Sequence, residues 1–505
     1  MVVLGPWPLS VPEVVAVARD HEPVEVSPEV EPAMAGAGQA VSEAVAGGRT
    51  FYGVTTGFGA LAATRVAPEQ AARVQYALVQ SHAAGMGRDI DGEVVRAMQL
   101  LKARTLAAGR SGVRPALVQA IADLLNAGVT PAVPEMGSLG ASGDLAPLAH
   151  AALVLMGSGW VTDGRGGRAD AGPALAAAGL APVTLGPKEG LALINGTEGM
   201  LAHLCLALAD LDVLLPTLDV TCALSVEALR ATDAPFAEKA HELRPHPGQR
   251  ASAANLRALL AGSPVVASHR NLDHAVQDAY SLRCAPQVHG ACRDVVAWAR
   301  SVVDVELGSV TDNPVVLDDG TVMSTGNFHG QPLAFAADFL AIALADVASI
   351  AERRVDRLMD PARSDGLPPF LAPEAGVNSG FMLAHYTAAA LVNRLRGHAS
   401  PSSCDSVPTS AGQEDHVSMG WNGCLSLRLA VADAMRVAAV ELVCAAEAVE
   451  LRGIPPARAT GAALAALRRR VPRMDADRFL APDLAAAEDL VRSGALLRAV
   501  PVDLR

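Results

Sequence analysis

Ala141, Ser142 and Gly143 stand inside the run Gly137-Ser138-Leu139-Gly140-Ala141-Ser142-Gly143-Asp144-Leu145-Ala146-Pro147-Leu148-Ala149-His150. Its glycines exclude a helix interior and nothing alternates as in a strand, so the composition predicts a tight loop that enters a helix at Asp144. If that loop bends back on itself, the Gly143 nitrogen, unhindered by a side chain, can attack the Ala141 carbonyl carbon and close a five-membered imidazolone ring. Ser142 then loses its hydroxyl as water and leaves an exocyclic methylidene. The product is 4-methylidene-imidazol-5-one (MIO), an electrophile made from backbone. A small Ala lets the turn close, Ser carries the leaving hydroxyl, and Gly permits attack by nitrogen.

Other residues with chemical potential lie at loops and helix ends. Tyr52 sits among glycines 53, 57 and 59; it reads either as a phenol packed at a loop base or as a general base on a lid. His82 stands where a helix predicted over 68–80 gives way to glycine-rich chain, as a structural imidazole or a ligand-facing one. Asn195 is polar within an apolar run, and its ordinary role is hydrogen bonding between helices. Gln277, Tyr280 and Arg283 drift around a regular helix by about 60° per step, and Pro286 implies an irregularity that lets them converge. Arg283 alone reads equally as one half of a surface ion pair. Phe328 lies in the loop Gly326-Asn327-Phe328-His329-Gly330. Met382, near the start of a helix capped by Asn378-Ser379-Gly380, is by itself core filler. Glu414, beside Asp415, is by itself a first-turn carboxylate favoured by a helix dipole.

The scaffold that positions these residues is expected to be mainly α. Apolar residues make up 51% of the 505 and aromatics only 3%, which favours long packed helices over a β-sandwich. Helices are predicted over 92–108, 115–126, 288–307, 333–359 and 381–395. A long helical region runs from Pro187 past Glu227 with an interruption at Pro216, and small hairpins fall at 160–168 and 315–323. Asp338 and Asp346 mark the richest apolar stretch as a buried helix, not a membrane span. A net charge of −13 without a Lys/Arg block argues against nucleic acid and membrane partners. The N-terminus, broken by Pro6, Pro8 and Pro12, does not read as a signal peptide, so a cytoplasmic protein is expected. Seven cysteines without a C-x-x-C pair indicate reduced thiols and no metal site.

The run 137–150 resembles the signature of the aromatic amino acid ammonia-lyases. Further blocks at 51–59, 81–87, 187–199, 276–290, 308–316, 326–360, 366–382 and 406–420 resemble the histidine branch in order and spacing. The resemblance implies the fumarase/aspartase-like fold, a central bundle of long helices with small β-hairpins. Residues 1–195 would form an N-terminal domain carrying the Tyr52 and Ala141-Ser142-Gly143 loops. Residues 196–505 would form the bundle and a C-terminal helical region.

It further implies an MIO group cross-linking Ala141 to Gly143 through dehydrated Ser142, with no diffusible cofactor and no metal. Tyr52 matches the tyrosine that removes a β-proton, and Arg283 the arginine that holds the substrate carboxylate. Asn195, Gln277 and Tyr280 match residues around the prosthetic group and the amine, and Phe328 an aromatic beside the ring. His82, Glu414 and Met382 match the histidine branch, in which a carboxylate meets the substrate imidazole. Phenylalanine and tyrosine lyases usually carry Asn-Gln-Asp where this chain has Gln413-Glu414-Asp415, and a buried carboxylate facing a phenyl ring lacks a partner.

The implied activity is elimination of ammonia from L-histidine to give trans-urocanate, in a homotetramer with shared active sites. The rivals are a tyrosine or phenylalanine lyase or an aminomutase using the same electrophile, and a non-catalytic scaffold. Two positions depart from the family pattern: Glu198, where Gln or Asp is expected, and His289, where an apolar residue is usual.

Overall fold

The computed structural model describes residues 1–47, 52, 56–57, 59, 63–67, 70–164, 166–270 and 276–505. Helices dominate, joined by two-stranded pairings only. Helices Gly92–Ala107 and Pro115–Asn126 and the hairpin Trp160–Thr162/Arg168–Asp170 lie where periodicity and turn residues predict them. The chain packs as two compact units. The first comprises Met1–Ala209, Arg300–Asp338 and Pro401–Leu425, the second Asp210–Ala299, Phe339–Ser400 and Ser426–Arg505. Helices Glu198–Ala228, Ala285–Glu306, Gln331–Met359 and Gly420–Leu451 contribute residues to both.

In the first unit, every residue of helix Gly92–Ala107 from Val94 onward is buried, including Arg96, Gln99, Lys102 and Arg104. The three cations act as internal ties for carbonyls at helix ends and in loops. Arg96 donates to Val17 O and Leu125 O at 3.1 Å, and Arg104 to Trp7 O at 3.2 Å and Gly308 O at 2.7 Å. Buried polar groups persist where every donor finds an acceptor. Of the two acids read from sequence as marking a buried helix, Asp338 is buried and accepts the Ser403 N–H at 2.8 Å, whereas Asp346 is exposed.

The helical region after Pro187 breaks elsewhere than expected. Helix Glu189–Ile194 ends at Asn195, whose backbone is extended, and Gly196 takes φ +137° before helix Glu198–Ala228 begins. Pro216 lies inside that second helix without ending it. A proline removes one backbone donor and crowds the preceding turn. Here Leu214, Leu215 and Leu218 are buried around it. Packing of an apolar face outweighs the local penalty.

The second unit has a polar interior of its own. Arg354 and Glu441 form a fully buried ion pair, and the Thr221 and Ser225 hydroxyls donate to the same carboxylate at 2.7 and 2.8 Å. Asp219 accepts from Ser252 at 2.6 Å, Asn255 at 2.8 Å, Arg293 at 2.7 Å and His289 Nδ1 at 2.8 Å. Burial pushes the Asp219 carboxyl up, but His289 and Arg293 outweigh it and hold it low. His289 thus serves as a donor to a buried acid.

Candidate active site

The Ala141-Ser142-Gly143 loop is held in the first unit by close backbone packing. Gly140 and Gly143 take φ of +66° and +74°, conformations that disfavour any residue with a Cβ. A Cβ on Gly143 would collide with the Gly196 carbonyl, and one on Gly140 with the Ser418 hydroxyl. Asp144 N–H donates to Gly196 O at 2.7 Å, and Gly196 N–H to Ser142 O at 3.3 Å. The loop is thus tied to the corner where helix Glu189–Ile194 ends.

Asp144 follows the loop at the N-terminus of helix Leu145–Leu155 and is fully buried. Its carboxyl accepts from the Ser138 hydroxyl at 3.0 Å and Met200 N–H at 2.8 Å. Burial pushes its pKa up to about 7 against those hydrogen bonds, with the Glu198 charge adding to the rise.

A cavity of about 640 Å³ opens beside Ser142, and Tyr52, His82, Asn195 and Glu414 share its lining. The Tyr52 hydroxyl accepts the Gly59 N–H at 3.0 Å. His82 closes helix Ala71–His82, and its Nδ1 lies 2.9 Å from Leu78 O. A carbonyl can only accept, so Nδ1 carries the proton and, in the neutral ring, Nε2 is an acceptor. Burial pulls the imidazole below its usual range, while Leu78 O and the Glu414 charge oppose that. Glu414 is held by the Thr409 hydroxyl at 2.8 Å, within a short loop in which Thr409 and Glu414 also exchange backbone hydrogen bonds. Leu78, Leu145, Leu191 and Ile194 supply apolar wall.

Asn195 is anchored from three directions. Its amide nitrogen donates to Asp312 Oδ1 at 3.2 Å and Asn313 O at 3.0 Å, and its backbone carbonyl accepts from Lys102 Nζ at 2.7 Å. Its side-chain oxygen is buried without a hydrogen-bond partner among the described residues. Glu198 pairs with the same Lys102 at 2.8 Å. Lys102, Lys188 and Asp312 escaped the reading of the sequence. The signal available was a pair of lysines and an aspartate in apolar surroundings, whose burial only the fold reveals.

Of the expected site residues, Ala141 and Gly143 flank Ser142 without themselves lining this cavity, and five others are also absent from its lining. Phe328, half-buried, precedes Gly330, which abuts Met200 and Ser418. Gln277, Tyr280, Arg283 and Met382 belong to the second unit. There Tyr280 is 71% exposed and Arg283 lies 4.6 Å over its ring, with Arg283 Nε donating to Asp278 O at 3.0 Å. The short helix Tyr280–Arg283 brings these two together at i,i+3 spacing. Met382 begins helix Met382–His398 and is half-buried. Among the described residues no group of three or more His, Cys, Asp or Glu is placed to hold a metal ion.

Comparison with known proteins agrees with this geometry. A family profile described as "Aromatic amino acid lyase" matches residues 9–469. The chain is 54% identical to a histidine ammonia-lyase of Streptomyces avermitilis over 500 residues, covering 99% of this chain and 98% of the relative. Its structure resembles the crystal structure of tyrosine aminomutase from Streptomyces globisporus, with a TM-score of 0.92 and 37% identity, covering 100% of both chains. It also resembles that of histidine ammonia-lyase from Trypanosoma cruzi, with a TM-score of 0.91 and 38% identity, covering 99% of this chain and 94% of that one. With a serine-bearing Ala-Ser-Gly loop on a cavity that holds a tyrosine, a histidine and a glutamate, and with likeness along its length, the chain belongs to the aromatic amino acid lyase family.

Proposed function

We propose that the protein eliminates ammonia from L-histidine to give trans-urocanate, using Ala141-Ser142-Gly143 matured into MIO. The observation that carries this reading is the convergence of Ser142, Tyr52, Asn195, His82 and Glu414 on one cavity. The residues present fit the group: position 143 has no room for a Cβ, and Asn195 presents an unpartnered oxygen on the same wall. When formed, MIO supplies an electrophilic methylidene carbon to which the substrate amine adds, so that ammonia becomes a better leaving group.

The chain's own residues do the rest. Tyr52 acts as the base for the β-proton, its oxygen oriented by the Gly59 N–H. Glu414 accepts a substrate imidazole N–H, and His82 offers Nε2 as a second acceptor. The leucines and Ile194 exclude water around them. Arg283 holds the substrate carboxylate through a bidentate contact, with Gln277, Tyr280, Phe328 and Met382 around the substrate. The exposure of Tyr280 supports delivery of this second set from another copy of the chain, in a homotetramer of cytoplasmic enzyme. Residues 1–195 carry the two reactive loops, and 196–505 supply the bundle.

The test is near-ultraviolet absorbance of the purified protein with L-histidine, L-tyrosine and L-phenylalanine in parallel, beside Ser142→Ala. Urocanate from histidine alone, lost in the variant, is the expected outcome. The wild-type chain should also weigh two waters less than its translated sequence. Coumarate, cinnamate or a β-amino acid product would replace the histidine pocket with that of a tyrosine or phenylalanine lyase or an aminomutase. Silence from a chain of unreduced mass would favour a scaffold.

A further inference from the structure

The Asn195 side-chain oxygen is the one buried polar atom in the cavity lining without a hydrogen-bond partner among the described residues. Its direction is not free. Both amide protons already meet oxygens, Asp312 Oδ1 and Asn313 O, so flipping the amide would set its oxygen against two acceptors. Asp312 is itself fully buried, and its two oxygens divide the work. Oδ1 receives Asn195 and the Asn313 N–H at 2.7 Å, while Oδ2 receives Lys188 Nζ at 2.5 Å. Lys188 is fully buried and sits at φ +71°, at the start of the helix that ends in Asn195. A carboxylate in such a place is tolerated only with a paired cation.

We propose that Asp312, clamped by Lys188, is a positioning residue that turns the Asn195 amide oxygen toward the amine of the substrate. This rests on the lyase reading above. The oxygen then accepts an N–H of the amine as it becomes the leaving group, and its alignment is set before substrate enters. An alternative is a buried ion pair that serves the fold alone, and the two differ in what a neutral replacement does.

Two full-length double variants separate them. Lys188→Met with Asp312→Asn removes both charges but keeps an oxygen opposite Asn195, because the Asn313 N–H demands an acceptor there. Lys188→Met with Asp312→Ala removes the acceptor as well. The first is expected to keep kcat for urocanate within about threefold of wild type, the scale of a modest hydrogen-bond change. The second is expected to lose about 100-fold in kcat with KM little altered, as misalignment at a reacting group does. Both should still weigh two waters less than translated, which separates positioning from maturation.

If the alanine variant does not fold, Asp312→Glu takes its place; it keeps the charge for Lys188 but displaces the acceptor, and should lower kcat in the same sense. Equal kcat in the Asn and Ala variants, or in Asp312→Glu and wild type, overturns the proposal and leaves the pair a purely structural tie. A wild-type chain that forms no urocanate overturns the lyase reading instead, a result distinguishable from either.

Discussion

Gly143 and Gly196 lie so close that a single methyl group on the former meets the carbonyl of the latter. Gly143→Ala is therefore expected to push the loop out of its turn, and the chain should keep the full translated mass and form no urocanate. An alanine variant that still sheds two waters would show that the close packing is dispensable. Glu414→Gln tests the substrate end of the cavity. It keeps shape while removing the charge, and kcat/KM for histidine should fall about 10- to 100-fold, the worth of one charge-assisted hydrogen bond.

Asp144 makes a prediction about pH. Its pKa rises from 3.8 to about 7 on folding, so the folded chain binds more protons than the unfolded one between these values. Its contribution to stability is complete below 3.8 and is lost as pH rises toward 7. Asp144→Asn should flatten that part of the pH dependence of thermal unfolding; an unchanged slope would assign it to other groups.

At the scale of elements, the Arg354–Glu441 pair ties helix Gln331–Met359 to helix Gly420–Leu451 within the second unit. Arg354→Met leaves Glu441 with hydroxyl partners only, and should cost about 3–5 kcal/mol in denaturant unfolding, the range for stranding one buried charge. Adding Glu441→Gln should restore part of that loss, because burial without charge is far cheaper. Helix Glu198–Ala228 shows the opposite limit of local rules. Pro216 is a breaker by its own chemistry, but the buried leucines around it keep the helix whole. The break falls instead at Asn195-Gly196-Thr197, where the chain needs an extended residue and a positive φ to receive the Ser142 loop.

For the whole molecule, the residues assigned to the substrate divide between two compact units. Phe335, Phe339 and Ile342, one and two turns apart on helix Gln331–Met359, are each at least 40% exposed, a stripe that fits the assembly of copies proposed above. If, as proposed, sites are shared between copies, complementation between inactive chains follows. Co-expression of Ser142→Ala and Arg283→Met chains, each inactive alone, should restore activity, because some assembled sites hold both wild-type residues. Failure to restore it in mixed oligomers of confirmed composition would confine each site to one chain.

The reactive loop and the mainly helical class were legible in the chain because they rest on local chemistry: glycine where φ is positive, apolar residues at helical period, a serine with a hydroxyl to lose. Tyr52, His82, Asn195 and Glu414 stood out only through the family resemblance, since each by itself reads as an ordinary structural residue. The partners of those residues were not. Lys102, Lys188 and Asp312 come from segments far apart in sequence, and nothing in their types distinguishes a buried clamp from a solvated ion pair. Glu198 and His289 read as departures in the sequence, and each has a charged partner in the fold, Lys102 and Asp219. Residue type and spacing determine which chemistry is possible; burial, pairing and the direction of the Asn195 oxygen depend on distant segments meeting, and only the tertiary structure decides them.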